Sequence, residues 1–148
     1  MINMPVNFIK PRILIVDNDP IIRNLLKRFY ACYDFELFEV SNGQQAIEMA
    51  STYKPDLILL DIQMPVFNGY TTVAILRTHE ATKDVPIILI TDQEFEEVKD
   101  KARGMYGEYL SKPVRKDDLI QATLRFLPEA VKRPKDAEKE KVYSGIHN

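Results

Sequence analysis

Four short apolar runs, at residues 13–16, 37–40, 57–60 and 87–90, punctuate a chain whose intervening stretches carry apolar residues at helical spacing. Such alternation predicts strands joined by crossover helices in a parallel sheet. The third and fourth runs, LILL and IILI, contain no polar residue, as expected of central strands covered on both faces. A weaker fifth strand is predicted over Glu108–Ser111.

Between the first two strands, Asp19 followed by Pro20 predicts a helix start, a capping carboxylate before a proline at the first helical position. Ile22, Leu25, Leu26 and Phe29 then form one apolar stripe. The second helix is predicted to begin near Asn42, to turn Ala46, Ile47 and Ala50 inward, and to end before Pro55. The third covers 69–79 and uses Val73, Ile75 and Leu76; the fourth, over 94–103, is the least apolar. The fifth, over 116–126, places Asp117 and Asp118 favourably at its N-terminus and buries Leu119, Ile120 and Leu124. Five strands alternating with five helices predict an α/β fold, a doubly wound five-stranded parallel sheet whose ligand site lies beyond the carboxyl ends of the strands. The expected division is an N-terminal extension over 1–11, one domain over 12–128 and a charged tail over 129–148. The tail has too few apolar residues to bury a core and reads as flexible or as a frayed helix.

Charge narrows the range of functions. Twenty basic and 22 acidic residues leave a formal net charge of -2, so no global field draws the chain to nucleic acid or an anionic membrane. Cys32 is the single cysteine, which excludes an internal disulfide and suits a reducing compartment; it reads as a small packed residue near a helix end. The start, MINMPVNFIKP, lacks the apolar stretch of a secretory signal, and no run of 18 apolar residues occurs. A cytoplasmic protein with no membrane partner is expected.

At the predicted strand ends stand Asp17, Asn18 and Asp19, then Asp61, then Thr91, then Lys112 and Pro113. The segments ILIVDND, LILLDIQMP, VPIILIT and EYLSKP, in this order and at these spacings, resemble the receiver domains of two-component signalling over about residues 12–127. Each segment alone is unspecific; four in order are specific. The resemblance implies a flavodoxin-like receiver fold with Asp61 as phosphoacceptor. It further implies Mg²⁺ held by Asp17, Asn18, Asp61 and the backbone carbonyl of Gln63, Lys112 as a second cation, and Thr91 with Tyr109 as a switching pair. The physical need is plain: a carboxylate and a phosphoryl group are both anionic, so the site must supply positive charge and alignment. Mg²⁺ suits oxygen donors and retained waters.

The implied function is that of a single-domain response regulator in a phosphorelay, phosphorylated by a histidine kinase or histidine phosphotransfer protein. It would signal to a downstream protein through the face of the fourth helix, fifth strand and fifth helix, with self-association left open. Such a protein is no turnover enzyme, since it catalyses only its own phosphorylation and dephosphorylation. A reading of another class is a receiver-like adaptor that binds partners without phosphorylation. No glycine-rich phosphate loop or nucleophilic serine elbow follows any strand, which disfavours an unrelated nucleotide binder or hydrolase.

Several positions depart from the family pattern. Asn18 stands where a second acid is usual, which predicts weaker metal affinity, and Asp19, next to Pro20, reads as a cap before a metal ligand. Asp92 stands where a small residue is common and reads first as a cap of the fourth helix. Thr91 with Glu94 also fits the spacing of a capping box. Asn68 replaces the usual acid before Gly69, a change expected to be nearly neutral. Gln63 and Gln93 hold variable places near the pocket, and the rearranged stretch 101–109 leaves partner identity open. His79 and His147 read as exposed.

Overall fold

The computed structural model describes residues 10–64 and 68–128. Most of the expected N-terminal extension, and the charged tail with His147, lie outside the described residues. Ten elements alternate: β1 (Arg12–Val16), α1 (Pro20–Phe29), β2 (Glu36–Val40), α2 (Gly43–Tyr53), β3 (Leu57–Asp61), α3 (Gly69–Thr78), β4 (Ile87–Thr91), α4 (Phe95–Lys101), β5 (Glu108–Ser111) and α5 (Lys116–Arg125). The five strands form one all-parallel sheet in the order β2-β1-β3-β4-β5. The predicted doubly wound α/β fold is the observed one.

Strand side chains alternate between faces, and the core divides accordingly. Leu14, Val16, Ile58 and Leu60 pack on one face with Ala46 and Ala50 of α2 and Val73 and Leu76 of α3. Ile13, Ile15, Leu57 and Leu59 pack on the other with Leu26 of α1 and Leu119 and Ala122 of α5. Burial on both sides explains why β3 and β4 read as unbroken apolar runs.

Side-chain caps start three helices. Asp19 accepts from the Ile21 N–H, Asn42 from the Gln45 N–H and Asn68 from the Thr71 N–H. The residue expected to be a neutral loop change, Asn68, therefore begins α3. At the end of α2, Lys54 takes a left-handed conformation, φ 49°, and turns the chain out ahead of Pro55.

Four expectations need correction. Helix α4 spans seven residues rather than the ten expected; it buries Val98 and no other residue, so an apolar stripe does not define its ends. Its N-cap is Glu94, with no side-chain cap bond, so neither Asp92 nor a Thr91–Glu94 box caps it. Ile75, Ile120 and Leu124 are half-buried, the inward face of α5 being Leu119, Ala122 and Thr123. Cys32 is exposed: α1 ends at Phe29, and Tyr30 fills the buried place, its hydroxyl 2.7 Å from that of Thr123.

Candidate functional site

The order of the sheet reverses direction at β1, whose two neighbours are β2 and β3, and such a switch point opens a crevice at the carboxyl edge. Asp17 follows β1 directly, and Asp61 is the last residue of β3. In register, Val16 pairs with Leu60 and Asp61 with Ile90, one residue before Thr91. Thr91 pairs with Ser111, and Lys112 follows, its N–H donating to the Thr91 carbonyl at 2.9 Å. The residues singled out at the strand ends thus meet along one edge.

Two carboxylates share one ammonium there. Lys112 Nζ lies 3.2 Å from Asp17 Oδ2 and 3.3 Å from Asp61 Oδ2, across a cis Lys112–Pro113 bond from the next loop. Asp17 and Asp61 are only 2% and 3% exposed. Their remaining oxygens accept from the backbone, Asp17 Oδ1 from the Asp19 N–H at 2.8 Å and Asp61 Oδ1 from the Gln63 N–H at 3.1 Å. Burial, and then the facing Asp17 carboxylate, push Asp61 up to about 6 from its ordinary 3.8, against the pull of Lys112 and the Gln63 N–H. Burial alone would lower the Lys112 ammonium, but Asp61 and Asp17 outweigh it and hold it above the usual lysine range.

The same imbalance bears on metal binding. One ammonium facing two buried carboxylates leaves a negative charge uncompensated, and the donors are oxygen atoms, which is the environment a hard divalent cation prefers. Asn18, exposed at the rim, would add a neutral amide oxygen rather than a third carboxylate. Accordingly, no cluster of three or more His, Cys, Asp or Glu side chains with metal-holding geometry occurs among the described residues.

Glycine is needed beside this site. A Cβ on Gly69 would lie 2.5 Å from Ile62 Cα and 2.8 Å from the Asp61 carbonyl oxygen, so α3 abuts the backbone of Asp61 as only glycine permits.

On the other side of the site the hydrogen bonds join uncharged groups. Thr91 is fully buried, and its Oγ1 accepts from the Gln93 N–H at 3.1 Å. The Tyr109 hydroxyl donates to the Gln93 carbonyl at 2.6 Å, and its ring meets Phe95 edge-on at 5.5 Å. Asp92 is exposed. Sequence reasoning missed Arg23, whose Nη1 donates to the Asp17 carbonyl at 2.6 Å while Nε binds Glu39 at 2.9 Å. Lys27 pairs with the same Glu39, and these two hydrogen-bonded cations hold its carboxyl below the usual range. No local pattern marks a cation that reaches from a helix to a loop carbonyl.

Protein PilH of Pseudomonas aeruginosa is 34% identical over 112 residues, covering 74% of this chain and 92% of PilH. The chain spans about half the length of other curated relatives it matches, such as the nitrate/nitrite response regulator protein NarL of Escherichia coli, 36% identical over 74% of this chain and 51% of NarL. Among solved structures, the Vibrio cholerae chemotaxis protein CheY4 is similar with a TM-score of 0.75 and 25% identity, over 80% of this chain and all of CheY4. The receiver domain of the Pseudomonas aeruginosa sensor histidine kinase PA1611, whose structure has a magnesium ion coordinated in its active site cleft, gives 0.74 and 25%, over 80% of this chain and 98% of that one. The family model for the response regulator receiver domain matches residues 13–124, which leaves out little of the described fold, and the chain belongs to that family.

Proposed function

We propose that the protein is a phosphorylation-driven switch: Asp61 accepts a phosphoryl group, and the modified domain changes its affinity for a partner protein. The observation that carries this reading is the position of Asp61, a buried carboxylate at the carboxyl edge of the sheet with an ammonium 3.3 Å from its Oδ2. With a pKa of about 6, Asp61 is mainly ionised at pH 7 and able to attack.

The step is a simple displacement. A carboxylate oxygen of Asp61 forms a bond to phosphorus as the donor's N–P bond breaks; the imidazole of a phosphohistidine leaves with the electron pair. The donor is a histidine kinase or histidine phosphotransfer protein. Lys112 offsets the added negative charge, Thr91 supplies a hydroxyl donor to a phosphoryl oxygen, and Asp17 orients Lys112. Asp17, Asn18, Asp61 and the Gln63 backbone carbonyl would hold Mg²⁺, which would supply positive charge to offset that of the reacting anions.

A phosphoryl group carries nearly two negative charges and three strong acceptors, enough to favour a conformation that brings Thr91 and Lys112 inward. Tyr109 lies beside Thr91 through Gln93, so the change would pass to the face formed by α4, β5 and α5. Phe95, 47% exposed on that face, is a ready apolar contact for a partner.

Incubation with acetyl phosphate and Mg²⁺, followed by intact mass, tests the reading. One added phosphoryl group is expected on the wild type and none on Asp61→Asn. An unmodified wild type, or a group that persists in Asp61→Asn, would overturn it. An unmodified protein that still binds its partner would favour the phosphorylation-independent adaptor.

A further inference from the structure

Gln93 is the meeting point of three hydrogen bonds from different parts of the fold. Its N–H donates to Thr91 Oγ1 at 3.1 Å and its carbonyl accepts from the Tyr109 hydroxyl at 2.6 Å. Its side-chain Oε1 accepts from the Tyr70 hydroxyl at 2.7 Å. Tyr70 belongs to the first turn of α3, next to Gly69, which abuts the Asp61 carbonyl. Helix α3 is fixed to the core by the fully buried Val73 and Leu76. On its far side the Tyr70 ring is faced by the Lys101 ammonium at 5.5 Å, and Lys101 pairs with Glu97 at 3.0 Å within α4.

We propose that Tyr70 and Gln93 form a latch that holds the β4–α4 loop, and with it Thr91 and Tyr109, in the arrangement kept before phosphorylation. The inference rests on the reading of Asp61 as phosphoacceptor and assigns both residues a positioning role. If Thr91 rotates about its Cα–Cβ bond to carry its hydroxyl to a phosphoryl group, Oγ1 leaves the Gln93 N–H, and the loop shifts with that lost bond. The backbone of Gln93 moves with that loop, whereas Tyr70 is anchored to a helix that stays in place. The side-chain bond between them therefore opposes the shift. It has leverage because α4 buries one residue within its span, Val98, and is otherwise tied down by the buried Ala102 at its C-cap and the partly exposed contacts of Phe95 with Tyr109 and of Lys101 with Tyr70. One net neutral hydrogen bond corresponds to a factor of about five in such an equilibrium.

The test uses the full chain with Tyr70→Phe, which keeps the ring, Gln93→Met, which keeps the shape, and the double variant. Hydrogen exchange is measured first, without any phosphodonor. Each single variant is expected to exchange the amides of residues 92–95 about five times faster than wild type. The double variant should be no faster than either single, because one bond cannot be lost twice. With acetyl phosphate and Mg²⁺, phosphoryl addition to Asp61 should accelerate by a similar factor. Unchanged loop exchange in Tyr70→Phe, effects that multiply in the double variant, or faster exchange with no change in phosphorylation rate would each overturn the latch. If wild type takes up no phosphoryl group, the reading of Asp61 fails by itself, and the exchange data decide whether the latch exists.

Discussion

The two sides of the site are built from different physics. On the β1–β3 side, Asp17 and Asp61 are almost wholly enclosed and face the Lys112 ammonium, which reaches over from the end of β5. On the β4–β5 side, Thr91, Gln93, Tyr109 and Tyr70 are joined by neutral hydrogen bonds, and apart from Thr91 these residues are half-exposed. The first side stores unfavourable electrostatic energy that a cation relieves and that an added anionic group raises. The second stores little, so modest forces can rearrange it. A switch needs both: a place where new charge acts strongly, and a neighbour loose enough to respond.

Removing Lys112 should break the comparison most severely. Lys112→Met leaves two buried carboxylates facing each other with no ammonium, which costs about 3–5 kcal/mol when an ion pair is broken from one side. The lower end applies, since the Lys112 side chain is 22% exposed. Urea unfolding in chelator at pH 7.5 should show the loss, and the gap to wild type should close as Asp61 takes up a proton in acid.

Asp61→Asn should act in the opposite direction. The carboxyl of Asp61 has a folded pKa of about 6 against an ordinary 3.8, so between these values the folded state binds the proton more tightly than the unfolded chain does. Wild-type stability from this group is therefore greatest below about pH 4 and is lost as pH rises through 6. Relative to wild type, Asp61→Asn should gain about 2 kcal/mol between pH 4 and 7, measured by unfolding in metal-free buffer. A difference that stays flat with pH would mean the carboxylate is not under this strain.

Asn18→Asp sharpens the same side by a smaller amount. A full negative charge at the rim should tighten Mg²⁺ binding roughly tenfold, read by titration calorimetry. Equal affinities in the two proteins would remove the argument that the amide weakens the site.

The same contrast governs what was legible in the sequence. Asp17, Asp61 and Lys112 sit where strands end, and strands covered on both faces announce themselves as apolar runs, so topology alone gathers these residues. Asp19 and Asn42 were legible as caps because capping is local. Helix α4 was not: with only Val98 buried, its start is set by the loop through Gln93 rather than by an apolar stripe, and Asp92 was misread with it. Arg23 reaches back to a loop carbonyl six residues away and Tyr70 forward to a loop side chain 23 residues away, and no spacing rule encodes either contact. Cys32 was misplaced because a Tyr-Ala-Cys-Tyr stretch does not say which member turns inward; the hydroxyl of Thr123 decides for Tyr30.

The smallest expected effect lies on the neutral side. Tyr109→Phe removes the bond to the Gln93 carbonyl while keeping the ring against Phe95. A neutral hydrogen bond at a half-exposed residue contributes about 1 kcal/mol or less, so the midpoint of urea unfolding should move little. No group with a raised carboxyl pKa is lost, so the small difference from wild type should hold steady from pH 4 to 8, unlike that of Asp61→Asn. A loss near that of Lys112→Met, or one that follows pH through 6, would mean that Tyr109 is coupled to the carboxylates and that the two sides form one electrostatic unit.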